Sequence, residues 1–229
     1  MEDDELTQGK TRTFITNPKI TKSFKDFFSH SRHFNRTSVN VISGILSQLK
    51  SEDSEKFMSE MPLVKRHNTE LLFSFLMDNF QTYLHELTLE LFNFRPEVLA
   101  GGSIKNSLVF SHPDIDTLKK TIIEKTVLDL GYRNISDIDK YFDEKFGFKI
   151  VDGWLQEKRL ARLIQIRNVI AHNRGKINAL FISKVGAKYD VEGQPVGIPD
   201  IHSTDRYLID LAQSIDRRAI DKFGLPTYN

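Results

Sequence analysis

Seven large apolar residues recur at helical spacing between positions 72 and 94, and they constrain the fold more than any other feature of the chain. Leu72, Leu76, Phe80, Tyr83, Leu87, Leu91 and Phe94 follow one another at steps of four, four, three, four, four and three. Steps of three and four keep side chains on one face of an α-helix, so the run predicts a long helix with an apolar stripe to bury. Asn68 is its expected N-cap. Arg95-Pro96 is its expected end, because the residue before a proline is pushed out of the helical region.

Such a stripe needs other helices to cover it, and the rest of the chain offers them. Residues 113–130 start at Ser111 to Pro113, carry Leu118, Ile122, Ile123, Val127 and Leu130, and stop at Gly131. Ser136 with Asp139 reads as a capping arrangement for a short helix ending near Phe146. Residues 152–173 form the next helix, Trp154 to Asn173, and 176–185 a further short one. Residues 203–223 place Tyr207, Leu208, Leu211, Ile215, Ala219 and Ile220 on a buried side, and Gly224 and Pro226 stop that helix. The predicted class is all-α, a bundle around the helices at 68–95, 113–130, 152–173 and 203–223.

Outside the bundle the expectations are simpler. Residues 1–20 are polar and read as a loosely attached start. Phe24, Phe27 and Phe28, then Val39, Val41, Ile42, Ile45, Leu46 and Leu49, suggest one or two short helices across 21–50. Residues 51–67 are charged, contain Pro62, and read as a connection. This divides the chain into an N-terminal extension, 1–67, and a main helical domain, 68–229. Residues 97–112, with Gly101-Gly102, read as a loop. Residues 186–200 hold Gly186, Gly193, Pro195, Gly197 and Pro199, and read as a small hairpin or an irregular excursion.

Composition excludes several function classes. The 229 residues carry a net charge of +1, so there is no global basic excess and any nucleic-acid binding must come from a local patch. There is no cysteine, which removes disulfides, thiolate nucleophiles and Cys-based zinc sites. The seven histidines make no ligand pattern: His30 and His33 are close, but no carboxylate set completes a zinc site, so no metal and no cofactor are expected. His85, inside the long helix, reads as structural. Asp137, Asp139, Asp143 and Glu144 are explained by a capped, exposed helix rather than by paired-carboxylate chemistry. The start, Met-Glu-Asp-Asp-Glu, is unlike a signal peptide, and no apolar run is long enough to span a bilayer. No membrane association and a cytoplasmic location are the expectation.

The chemistry concentrates in Arg167-Asn168-Val169-Ile170-Ala171-His172, near the end of the helix predicted at 154–173. At about 100° per residue, Asn168 lies about 100° and His172 about 140° from Arg167. Leu163, Ile166, Val169 and Ile170 fill the complementary arc. The apolar residues can face the bundle while Arg167, Asn168 and His172 share the other side. Gly175 is the expected stop, which puts His172 in the last turn, where the helix dipole favours positive charge. Histidine moves protons near neutral pH. Arginine presents a planar, permanently charged fork for phosphate. An amide can donate to a phosphate oxygen or hold the imidazole. Together they suit cleavage or binding of a phosphodiester without a metal. One copy supplies one such histidine, so a mechanism with two proton transfers favours two copies facing each other. Lys158, Arg159 and Arg162 either extend a phosphate-binding face or form an ordinary solvated one.

The pattern Arg-Asn-x-x-x-His on the penultimate long helix of a bundle resembles the HEPN superfamily. The wider run from Ile166 to Asn178 looks like its prokaryotic RiboL-PSP-HEPN and MAE_28990-like nucleases. The resemblance spans 68–223, with its sharpest patterning in the thirteen residues from Ile166 to Asn178. It implies an α-helical homodimer in which Arg-x4-His pairs from two subunits form a composite cleft. It also implies a metal-independent endoribonuclease, cleaving by 2′-hydroxyl attack to leave a 2′,3′-cyclic phosphate, in a toxin–antitoxin or antiviral setting with RNA as substrate and an antitoxin or defence-system protein as a further partner. Residue by residue, Arg167 and His172 match the catalytic pair and Asn168 the polar residue after the arginine. Arg174, Asn173, Lys176, Asn178 and Arg162 stand as substrate contacts. Arg174 occupies the position that carries a tyrosine in the members regulated by tyrosine modification, which argues against that control here. Two other readings stay open: a non-catalytic module of the same type that binds RNA or a nucleotide, and a helical dimerisation or interaction protein in which the arginine and histidine merely close a helix end.

Overall fold

A computed structural model describes residues 19–52, 54–100, 103–131, 133–185 and 190–228; the side chains of residues 35, 38, 39, 41, 42, 45, 46, 48–52 and 54–58 are outside the description. The described residues are all-α. Eight helices follow in order: α1 Lys22–Glu52, α2 Ser54–Phe94, α3 Asn106–Phe110, α4 Ile115–Gly131, α5 Ile135–Phe146, α6 Trp154–Asn173, α7 Ala179–Val185 and α8 Ile201–Phe223, with a 3-10 turn at Pro96–Leu99. None of them is long and apolar enough to cross a membrane.

Helix α2 is the axis. It packs against α1, α4, α6 and α8. The predicted stripe is buried at Leu76, Phe80, Tyr83, Leu87 and Leu91, each at most 1% exposed, while Leu72 is half-buried and Phe94 lies at the exposed end. Phe73, Met77, Leu84 and Phe92 are buried as well. A helix enclosed on several sides needs more apolar surface than a single stripe supplies.

The stretch read as a connection, 51–67, is helical from Ser54 onward, and Asn68 lies inside α2 rather than capping it. Pro62 sits within the helix. Proline removes one backbone bond and crowds the preceding turn, which costs about 3 kcal/mol in a helix interior but does not forbid helix. An exposed, charged helix and a charged connection have the same composition, so sequence did not separate them.

Residues 22–52 likewise form one helix instead of one or two short ones. Helices α1 and α2 run antiparallel, as the ring contacts show: Phe24 and Phe27 meet Tyr83, Phe27 meets Phe80, and Phe34 stacks on Phe75. The start of α1 is held by carboxylates from two other helices. Asp216 of α8 accepts from Thr21 N–H at 3.1 Å and from the Thr21 hydroxyl, and Glu90 of α2 accepts from Ser23 N–H at 2.8 Å. The expected packing of Val39, Val41, Ile42, Ile45, Leu46 and Leu49, and the loosely attached start over residues 1–18, lie outside the described residues, as do Gly101-Gly102 and 186–189.

Smaller expectations change as well: the stretch 97–112, read as a loop, holds most of the 3-10 turn and the short helix α3. The cap of α5 is Asn134, whose side chain accepts from Asp137 N–H at 2.9 Å, not the Ser136/Asp139 arrangement. Asp139 is buried instead of exposed and accepts from Ile150 N–H at 2.7 Å and Val151 N–H at 3.1 Å, fixing the turn after α5. Helix α8 starts at Ile201, with Asp200 accepting from Ser203 N–H at 2.8 Å, and Gly224 ends it in the left-handed conformation. The described part of the 186–200 segment is irregular, attached by an isolated bridge between Lys176 and Pro195.

Candidate functional site

Helix α6 has the predicted bounds and turns its apolar arc to the bundle as expected, but Arg167 faces α2 instead of sharing the outer side with His172. Leu160, Leu163, Ile166 and Val169 are buried against the bundle, Arg167, Asn168 and Ile170 are half-buried, and Ala171 and His172 are exposed. Two consecutive left-handed residues end the helix, Arg174 at φ 52° and Gly175 at φ 69°. Both their N–H groups turn back to the Val169 carbonyl. This satisfies a carbonyl that the helix end would otherwise leave open.

Gly175 is required at its position for two reasons. Its φ is one that side chains resist, and a Cβ there would stand 2.6 Å from Glu70 Oε1 and 3.2 Å from Arg66 Nη2. Arg66 and Glu70 pair on α2 at 2.9 Å, and Arg66 Nη2 reaches the Gly175 carbonyl at 3.5 Å. The same carbonyl accepts from Val196 N–H at 2.8 Å, and Ile177 N–H donates to Gln194 O at 2.9 Å. The end of α6 is therefore clamped between α2 and the 190–200 segment.

About two helical turns before that end, Arg167 Nε donates to Asp78 Oδ1 of α2 at 2.7 Å. The arginine side chain is 25% exposed and the aspartate half-exposed. Among the described residues the terminal guanidinium nitrogens of Arg167 have no protein acceptor, so the fork is oriented by one nitrogen and open at the other two. Asp78 also lines an open groove of ≈ 420 Å³ that runs past Gln81, Thr82 and His85 toward Arg133.

His172 is in the last turn of α6 and in solvent, with no hydrogen bond or ion pair among the described residues. Arg167 faces α2 while His172 points outward, about 140° further round the helix. The fold brings Arg167 to Asp78 and leaves His172 for something outside the chain. Asn168 lies between them in azimuth, half-buried.

The residues expected to contact substrate divide into two groups. Arg174 and Lys176 are exposed, without side-chain partners among the described residues. The others have structural employment. Arg162 grips Asp190 with both terminal nitrogens, at 2.7 and 3.2 Å, and ties the 190–200 segment to α6. The Asn173 amide donates to the Lys176 carbonyl, and Asn178 Oδ1 accepts from Phe181 N–H at 2.8 Å, capping α7. Sequence reasoning missed Asp78, Glu70, Arg66 and Asp190. The one available signal was the i, i+4 pair of opposite charges at Arg66 and Glu70. Among the described residues no three His, Asp or Glu side chains come together as a metal-ligand group.

No family model, curated protein or solved structure matches the chain.

Proposed function

We propose that this chain is a metal-independent endoribonuclease of the HEPN type, acting as a homodimer with a composite active site. One observation carries the reading: at the end of α6, Asp78 orients a half-buried arginine fork whose terminal nitrogens stay open, while a histidine stands exposed on the adjoining face. Arg167 then binds the phosphoryl oxygens through those nitrogens. His172 takes the proton of the ribose 2′-hydroxyl. As the 2′-oxygen bonds to phosphorus, the bond to the 5′-oxygen breaks, and that oxygen receives a proton from His172 of a second copy. Asn168 orients the phosphate or the imidazole. The products are a 2′,3′-cyclic phosphate and a 5′-hydroxyl. The outward direction of His172 favours this arrangement, because a group facing solvent in one chain is available to a facing copy. A toxin or antiviral-defence setting, with an inhibitory or triggering protein partner, follows from the motif resemblance alone.

The test is incubation with mixed RNA in EDTA, alongside Arg167→Ala and His172→Ala. The proposal expects cleavage to survive EDTA and to vanish in both folded variants. RNA binding without cleavage would favour a binding module, and activity that survives His172→Ala would overturn the mechanism.

A further inference from the structure

Trp154, the one tryptophan of the chain, opens α6 with 61% of its surface exposed. The Lys158 ammonium sits 4.1 Å from its ring centre, and next to it the Arg159 guanidinium lies 3.9 Å over Tyr207. Trp154 and His172 are eighteen residues apart, which at 3.6 residues per turn is five whole turns. They share one azimuth and stand about 27 Å apart along the helix. Lys158, Ala161, Gln165 and Asn168 fall within about 40° of the line joining them. None of these six residues is buried.

Charge indicates what this face accepts. From Lys158 to Asn178 the chain has six Lys or Arg and no Asp or Glu. Arg162 and Arg167 are engaged by Asp190 and Asp78. Lys158, Arg159, Arg174 and Lys176 have no ion pair among the described residues. An exposed aromatic ring with Lys158 beside it, and with the unpaired Arg174 and Lys176 at the His172 end, complements a polyanion that carries flat apolar rings, which is single-stranded nucleic acid. A duplex keeps all but its terminal base faces stacked inside, so it offers Trp154 far fewer than a single strand does.

We propose that single-stranded RNA runs along this face of α6, with a base stacked on Trp154, its backbone beside Lys158, and the scissile phosphate at His172. The His172 end rests on the ribonuclease reading above; the Trp154 end does not. A span of about 27 Å corresponds to roughly eight stacked nucleotides at ~3.4 Å each. A strand must reach across this distance to touch both ends, so very short RNA engages only one of them.

The sole tryptophan makes the test direct. Single-stranded oligoribonucleotides of about twelve and about four residues, and a twelve-pair duplex, are titrated into the full-length His172→Ala protein, following tryptophan emission and the anisotropy of labelled RNA. The long strand is expected to quench the emission far more than the duplex does. Adding Trp154→Ala is expected to weaken the long strand roughly five- to hundredfold, and Trp154→Phe to restore most of the loss. Lys158→Ala should flatten the dependence of log affinity on log salt by about 0.7. Unchanged long-strand affinity in Trp154→Ala overturns the proposal. So does equal quenching by the duplex, or a loss of dimer on light scattering with RNA affinity intact, which would mean that a second copy covers the ring. Quenching in a protein that never cleaves RNA sinks the ribonuclease reading and leaves this one standing. Cleavage equally fast in Trp154→Ala at every RNA length does the reverse.

Discussion

Asp78 and Arg167 are 89 positions apart in the chain and meet through a 2.7 Å hydrogen bond between Oδ1 and Nε. The contact fixes the plane of the guanidinium and leaves its two terminal nitrogens open. On the proposed ribonuclease reading, Asp78 is a positioning residue that acts on substrate only through Arg167. Asp78→Ala is expected to lower the cleavage rate by up to about 100-fold through misplacement of the arginine. Because the pair is partly solvated, the stability loss should stay within about 1 kcal/mol. Single-turnover rates set beside denaturant midpoints separate the two effects. An unchanged rate would show that Arg167 needs no such anchor.

Gly175→Ala should destabilise the protein by about 1–2 kcal/mol, because the left-handed conformation is costly with a Cβ. Crowding against Glu70 adds to this. In a Glu70→Ala background the glycine substitution is expected to cost less, a coupling that a double-mutant cycle in urea measures. Equal costs in the two backgrounds would rule out the clash.

Arg162 holds Asp190 with two hydrogen bonds, so its main effect is expected on structure. Arg162→Ala and Asp190→Ala should each expose residues 190–200 to limited proteolysis, and the double variant should add little beyond either. Protection that persists in both single variants would return Arg162 to the list of free phosphate-binding cations.

Asp216 is 2% exposed, and burial raises its carboxyl from the ordinary 3.8 to about 6, against the lowering effect of the two hydrogen bonds from Thr21. The folded state therefore binds this proton more tightly than the unfolded state, and its contribution to stability falls as pH rises from 3.8 to about 6. Asp216→Asn removes that slope. Urea midpoints should shift in favour of the variant above pH 6, relative to the difference at pH 4. A parallel pair of curves would mean that Asp216 ionises normally in the fold.

The sequence was most legible where a local signal decided the structure. The bounds of α6 matched because an apolar arc precedes a glycine suited to the left-handed conformation that ends the helix, and the exposure of His172 followed from helix geometry. The stripe at Leu76 to Leu91 located the core. What stayed hidden depends on distant partners. Asp78 and Asp190 have ordinary local surroundings, and nothing in their neighbourhoods shows that each grips an arginine of α6. The stretch 51–67 was misread because charge and a proline describe an exposed helix as well as a connection. Ser136 and Asp139 fit a capping pattern that Asn134 fulfils, which frees Asp139 to hold the turn at Ile150.

The central claim is that two copies of His172 serve one cleft. Wild-type and His172→Ala chains are mixed in varying proportion at constant total concentration, allowed to exchange subunits, and assayed for RNA cleavage in EDTA. The account predicts activity falling as the square of the wild-type fraction, with 2′,3′-cyclic phosphate ends on the product. Activity falling in straight proportion to that fraction, or no cleavage by the wild-type protein, would contradict it.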